Sequence, residues 1–495
     1  MTDSSKPTEV AYDGPPDYRV VGRHGIFPET SHDEVERINY LAQMNRHLST
    51  RIMPGVKTSF EQNVEPEFRK KTGRDMANRH EARKAMLGDY AYKFWSALRR
   101  ATMEQRQQAG RWTALRQSER LAEIADKLTR DDDRLQLNPA IKVPRYVSGV
   151  DHHCMPGSYH TEYFPGDVTN GANYDHAGFV TTAGMLGKYT DGGGHAVVNW
   201  VKTNLPDFKP TKILEIGGTV GHSSLPIAQA YPDAEMTIVD LGAPVLRYGL
   251  ARAKSLGVDN VRFVQASGED LSMFEDESFD WIQTTMFLHE LSSSALRNIF
   301  NETRRLVKPG GIVLHVEQPQ YTDEMSLYEQ AMRDWDAFYN NEPFWSRMHE
   351  LDLDTQMEQA GFDRASLIHG GVTAVVDKDL FPDAADDDQA GNDRENHAED
   401  PLLAGEETAV APRDIEELGG GLVHLEHIAA TERGEHTEDR KQDGEHLSDR
   451  RHATLGKTSR QVIHGATVNA AIGVELAVFH TQRALGELGG HAEKP

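Results

Sequence analysis

Cysteine is nearly missing from this 495-residue chain, and Cys154 is the sole one. A single thiol excludes an internal disulfide and a thiolate zinc cage. No apolar run approaches the roughly 18 residues that a membrane span needs. The opening MTDSSKPTEVAYDG lacks the basic-then-apolar order of a secretory signal. Basic residues are scarce too: 53 Lys and Arg stand against 78 Asp and Glu, a net charge of −25. Neutralising phosphate takes Lys and Arg, so this balance argues against nucleic acid and against an anionic membrane surface. The expectation is a soluble cytoplasmic protein that acts on a small molecule, with a homodimer among its open oligomeric states.

What is present divides along the chain. The length is too great for one ordinary core. Residues 1–30 read as a polar, flexible arm. Residues 31–200 read as a helical and loop-rich region that covers a substrate. Its first helix opens with a capping box, Ser31 and Glu34, followed by Val35, Ile38, Leu41, Ala42 and Leu48 at helical spacing. A second period runs through AMLGDYAYKFWSALRRA, with Met86, Tyr90, Phe94, Ala97 and Leu98 on one face, and a third through SERLAEIADKL. From 139 to 200 no period is visible, and the stretch reads as a long functional loop rich in Gly, Pro, His and Tyr.

Between 201 and 382 the pattern alternates strand and helix. KILEI, EMTIVD, VRFVQA, FDWIQT and GIVLHVEQ are short apolar strands, with helices expected at 222–231, 244–256, 293–307 and 352–360. Such alternation implies a parallel sheet covered on both faces. An aromatic insertion holds Trp335, Phe338, Tyr339, Phe344 and Trp345, and ASLIHGGVTAVVD reads as an edge hairpin turning at Gly370-Gly371. Residues 383–495 hold 24 acidic and 11 basic residues, a net of −13, and read as a dispensable, disordered acidic tail in which VNAAIGVELAVFHTQRALGEL is one weak helix.

The chemistry-bearing stretch is KILEIGGTVGHSS. An apolar strand ends near an acidic residue, then a glycine turn leads to a helix start, the plan of a nucleoside-cofactor site. The dinucleotide spacing G-x-G-x-x-G is absent. Instead Glu215 precedes Gly217 by two and Gly221 by six, while Thr219 stands where a middle glycine would complete the pattern. A stiff β-branched Thr219 demands an ordinary φ, so Gly218 is expected to carry the unusual dihedral. Asp240 ends the second strand, where a carboxylate can accept both hydroxyls of a ribose. VQASGEDL, FDWIQTTMFLHEL and RRLVKPGG follow in order.

Taken together, this ordered set resembles the class I S-adenosylmethionine-dependent methyltransferases, particularly their small-molecule branch. The likeness is good over about 212–320 and looser to 377. It implies a Rossmann-like, mostly parallel seven-stranded α/β sheet and S-adenosylmethionine as cofactor. It places Glu215 near the cofactor's amino group and Gly217, Gly218, Thr219 and Gly221 along its methionine and ribose. Asp240 would hold the ribose hydroxyls and Leu241 would pack on adenine. Ser267 and Gly268 fall where the family has Asp-Ala beside the adenine, and Thr284 and Met286 would lie under the sulfonium. His289, followed by Glu290, resembles the general base of some O-methyltransferases. The implied reaction is in-line methyl transfer to O, N or S of a metabolite. Two alternatives stay open: a non-catalytic methyltransferase-like binding protein, and a nicotinamide-dependent oxidoreductase, which the glycine spacing disfavours. His152, His153, His160 and Glu162 lack the spacing of a metal site, so no metal is expected, and a substrate-facing loop and plain loop packing both stay open for them.

Overall fold

The computed structural model describes residues 14–372 and the backbone of 474–480. Eight strands form one sheet. They are β1 (Leu135–Gln136), β2 (Lys212–Ile216), β3 (Glu235–Asp240), β4 (Val261–Gln265), β5 (Phe279–Thr285), β6 (Val307–Glu317), β7 (Leu367–Val372) and β8 (Val474–His480). Their order is β1-β4-β3-β2-β5-β6-β8-β7. β1 to β6 run parallel, and β8 runs antiparallel to both its neighbours. The strands are apolar on both faces because both faces are covered. Ile213, Met236, Ile238, Trp281 and Leu314 pack with Val197, Leu246 and Leu250 on one side. Leu214, Ile216, Val239, Ile282 and Val313 pack with Ile299, Phe300 and Met357 on the other. The alternation of Ile213 with Leu214, and of Trp281 with Ile282, is the two-residue period of a strand. Strand order reverses where β2 lies between β3 and β5, and ligands of open α/β sheets bind in the crevice at such a point.

The four expected helices of this domain appear as Ser224–Ala230, Ala243–Ser255, Ser293–Leu306 and Leu353–Gln359. The sheet has eight strands against the seven expected, because the N-terminal region adds β1 at its edge. Gly370-Gly371 is not a hairpin turn: both glycines lie inside β7, and β8 is its partner. The acidic stretch beyond 382 is therefore not wholly outside the fold, since Val474–His480 fills the gap between β6 and β7. VELAVFH reads equally as a piece of helix or a buried strand, and periodicity alone does not separate the two. The rest of that tail lies outside the described residues. The chain leaves the sheet at Val372 and re-enters at Val474, at the same end as Glu317.

The N-terminal region differs from expectation in three places. From residue 14 on, the arm is packed rather than free, with Tyr18, Ile26 and Phe27 buried. The second helical period is broken into Arg79–Met86 and Tyr90–Leu115, and Asp89 caps the second helix. Its buried face carries Tyr92 and Trp95, while Tyr90 and Phe94 point outward. The supposed loop from 139 to 200 contains helices Thr169–Thr182 and Gly192–Asn204. Thr169–Thr182 is buried on nearly every side, and a helix surrounded by protein shows no amphipathic stripe to read. The capping box forms as expected: Ser31 N–H donates to Glu34 Oε2 at 2.7 Å. The aromatic insertion packs on the N-terminal helices, with Trp335 Nε1 donating to Ser96 Oγ at 2.8 Å and Arg79 Nε donating to Asp334 Oδ2 at 2.7 Å. Among the described residues, no helix is long and apolar enough to cross a membrane.

Candidate active site

The turn after β2 bends sharply enough to need three left-handed residues: Gly217 at φ 78°, Thr219 at 48° and Gly221 at 82°. Expectation placed the unusual dihedral on Gly218; Thr219 carries it instead. A β-branched residue there costs of order 1–2 kcal/mol. What holds it is a hydrogen bond, because the Thr219 N–H donates to Asp240 Oδ2 at 3.1 Å. The Gly242 N–H donates to the other oxygen of Asp240 at 2.8 Å. The glycine turn and the end of β3 are thus one unit centred on Asp240. Burial pushes the Asp240 carboxyl up to about 6, against the backbone N–H groups that favour its charged form.

Glu215 is buried in the middle of β2. Thr285 Oγ1 donates to its Oε1 at 2.9 Å, and Ser224 Oγ donates to its Oε2. Burial raises its pKa. Across Asp240 from this corner lie Leu241, Ser267, Gly268 and Glu269, and Tyr146 reaches over to donate to Glu269 Oε1 at 3.0 Å. A Cβ on Gly268 would strike Ile216 Cγ2 at 2.6 Å, which accounts for a glycine at that point.

These groups line one cavity of about 1020 Å³, its open mouth included. Of the residues expected at a cofactor, Glu215, Gly217, Gly218, Thr219, Asp240, Leu241, Ser267, Gly268 and Met286 are on its wall, and so is Glu290. Gly221, Thr284 and His289 are not. Gly221 shapes the turn from behind. Thr284 is fully buried and bonds His315 Nδ1 at 2.8 Å.

His289 needs correction as a base. Its ring is buried against Trp345, with centroids 4.8 Å apart. Nδ1 meets Glu317 Oε1 at 2.8 Å, and Nε2 lies 3.9 Å from both Glu290 and Glu342. Although burial alone lowers a histidine, Glu317 and its neighbours hold His289 up at about 9. With Nδ1 held by Glu317 and the ring off the cavity wall, His289 is placed as a strut rather than as a base.

Glu290 stands between that strut and the cavity. His153 Nε2 approaches its Oε1 at 2.9 Å, and His153 Nδ1 approaches Glu342 Oε1 at 2.9 Å. Clamped between carboxylates, His153 is held well above its ordinary value despite its burial. Burial opposes charge on Glu290, but His153 and the other histidines around it prevail and hold it at about 2. Its Oε2 lies 3.2 Å from His152 Nε2 without hydrogen-bond alignment, and neither atom has another partner. The cluster sits on a bent loop: His153 and Cys154 have φ of 53° and 58°. Among the described residues no group of side chains has metal-binding geometry.

Reading by sequence missed the cavity residues Tyr146, Tyr159, Tyr174 and His222 as site groups, together with Glu317 and Glu342 behind them, whereas His152 and His160 of the loop it singled out line the cavity. Glu317 had a usable signal, since it ends β6 as Asp240 ends β3. His222 had another, standing directly after the glycine turn.

Residues 213–311 match a family described as methyltransferase domain. An uncharacterized methyltransferase of Synechocystis sp. is 29% identical over 167 residues, 33% of this chain and 74% of that protein. The ubiquinone/menaquinone biosynthesis C-methyltransferase UbiE of Brucella anthropi is 29% identical over 224 residues, 41% of this chain and 81% of that protein. Among solved structures, phosphoethanolamine N-methyltransferase 2 of Haemonchus contortus, with phosphomonomethylethanolamine and S-adenosylhomocysteine, aligns over 44% of this chain and 48% of that one, at 19% identity and a TM-score of 0.32. Residues 213–311, which carry the glycine turn bonded to Asp240, are thus similar to a methyltransferase domain.

Proposed function

We propose that this protein moves a methyl group from S-adenosylmethionine to O, N or S of a small-molecule acceptor. The observation that carries the reading is one cavity with two differently built parts to its wall. Asp240 and the glycine turn line one part, and Glu290, whose Oε1 meets His153, lines the other. The cofactor supplies an electrophilic methyl on sulfur.

The chain's residues fit it. Each oxygen of Asp240 accepts one backbone N–H. A lone pair therefore remains on each for a ribose hydroxyl. Leu241, Ser267 and Gly268 offer a narrow apolar and backbone-lined slot for a base. Glu290 is anionic at neutral pH and too weakly basic to act as a general base. Its Oε1, beside His153, has a second lone pair to accept a hydrogen bond from the acceptor and fix the direction of attack, which is what an in-line displacement chiefly needs. Tyr159 and Tyr174 close the wall from the N-terminal region and exclude water. The name of the Brucella relative adds carbon to the acceptor atoms worth testing. The acidic surface supports a small metabolite over nucleic acid or membrane as partner, and a homodimer is part of the proposal to be checked by light scattering.

A melt with added ligands separates this reading from the nicotinamide alternative. S-adenosylhomocysteine should raise the melting temperature and NAD should not. Stabilisation by NAD alone, or by neither, would remove the proposal.

A further inference from the structure

His222 has two ring nitrogens in different surroundings. Nε2 lies 2.7 Å from Asp175 Oδ1, in the interior. Nδ1 makes no bond among the described residues, and the residue lines the cavity directly beyond the glycine turn. Its ring leans on that of Tyr174, 5.2 Å away.

Asp175 is the centre of a buried polar cluster. It also meets His24 Nε2 at 2.8 Å, accepts from the Tyr248 hydroxyl at 2.8 Å, and has Arg252 Nε at 3.8 Å. Burial opposes its charge, but Arg252 and the two histidines hold it well below the usual carboxylate range. An anion there has one use for each imidazole, as an acceptor of its Nε2–H. Burial lowers His222, against the pull of Asp175, and so favours its neutral ring. With hydrogen on Nε2, the lone pair of a neutral ring is on Nδ1.

The family resemblance assigns the cofactor's amino group to Glu215. Here each Glu215 oxygen already accepts a hydroxyl, from Thr285 and from Ser224. His222 is the neighbouring group on the same wall with an uncommitted acceptor.

We propose that His222 binds the amino-acid end of the cofactor, its Nδ1 accepting a hydrogen bond from the α-ammonium, and that Asp175 is the positioning residue that fixes the ring for this. The inference rests on the methyltransferase reading above. It makes the N-terminal region part of the cofactor site, because Asp175 comes from it. His24 is the built-in comparison: it shares Asp175, but its Nδ1 is buried and unpartnered, away from the cavity.

The test is calorimetric titration of the full chain with two ligands. S-adenosylhomocysteine carries the amino-acid end, and 5′-methylthioadenosine lacks it. The variant is His222→Gln, whose amide can keep a bond to Asp175 but offers no atom at Nδ1. The expected result is a loss of about 10- to 100-fold in S-adenosylhomocysteine affinity, the range for one hydrogen bond to a charged group. Affinity for 5′-methylthioadenosine should stay within twofold. His24→Gln should not separate the two ligands. Equal loss for both ligands, or none for either, would overturn the assignment and leave His222 as a tie between turn and helix. If unaltered protein binds 5′-methylthioadenosine and S-adenosylhomocysteine equally well, no group grips the amino-acid end and the assignment also falls. If it binds neither, the methyltransferase reading itself fails. Where His222→Gln melts early, His222→Asn supplies the second arm: its amide oxygen can stand in for Nδ1 and should restore the preference.

Discussion

At one end of the cavity Glu215, the glycine turn, Asp240 and Ser267–Gly268 come from successive strand-to-helix turns of one sheet. At the other, Glu290 meets His153 and His152 from the connection between β1 and β2, and through His153 meets Glu342 from an insertion after β6. The first end is made by backbone geometry: two N–H groups hold Asp240, and left-handed residues make the turn. The second is made by side chains, with two carboxylates clamping the His153 ring. A backbone-built site is fixed by the fold and suits a ligand common to a whole family. A site assembled from loops and insertions can change without disturbing the sheet. The comparison teaches that the backbone-built part of the proposed cofactor end belongs to the fold and the proposed acceptor end to this chain.

The largest way to break that comparison is to remove the sheet beneath both ends. Deleting 467–495 takes away β8 and leaves β6 and β7 without their shared partner. The truncated chain should show no cooperative melt. A folded, ligand-binding product would mean that β8 is not needed to hold the site.

Next in size, Glu290→Gln should cut methyl transfer about 10- to 100-fold, the worth of a hydrogen bond to a charged group. It should leave S-adenosylhomocysteine affinity unchanged. Loss of affinity instead would show that the two ends are not separate.

The smallest effect is expected at Thr219. Thr219→Gly removes a β-branched residue from φ 48° and should stabilise the protein by about 1 kcal/mol or less, since glycine also loosens the unfolded chain. A shifted urea midpoint would register it. Destabilisation would mean that the Thr219 side chain contributes more than its strain costs.

The same contrast governs what could be read from sequence. The cofactor end was legible because each of its parts is local: an apolar strand, a glycine turn, an acid at a strand end. His152, Asp175 and Tyr174 come from a stretch that showed no period, and the helix carrying Asp175 is buried all round. Nothing local announces that Asp175 meets both His24 and His222. His289 misled for a related reason. Its place after β5 resembles that of a base, but Glu317 and Glu342, distant in sequence, determine its charge. β8 was hidden in acidic surroundings, where composition over a long window outweighed seven apolar-rich residues. Thr219 showed the limit of a propensity rule, since a bond to Asp240 holds it where its own side chain would not place it.

The central claim is that Asp240, tied to the glycine turn, holds the cofactor. Titration of S-adenosylhomocysteine at pH 7.5 into the unaltered protein and into Asp240→Ala tests it most directly. Loss of two hydrogen bonds to a carboxylate should weaken binding more than about 100-fold. Because burial pushes the Asp240 carboxyl up to about 6, protonation on the acid side should also weaken the unaltered protein about tenfold at pH 5. Equal affinity in the two proteins, with no change between pH 7.5 and pH 5, would contradict the account.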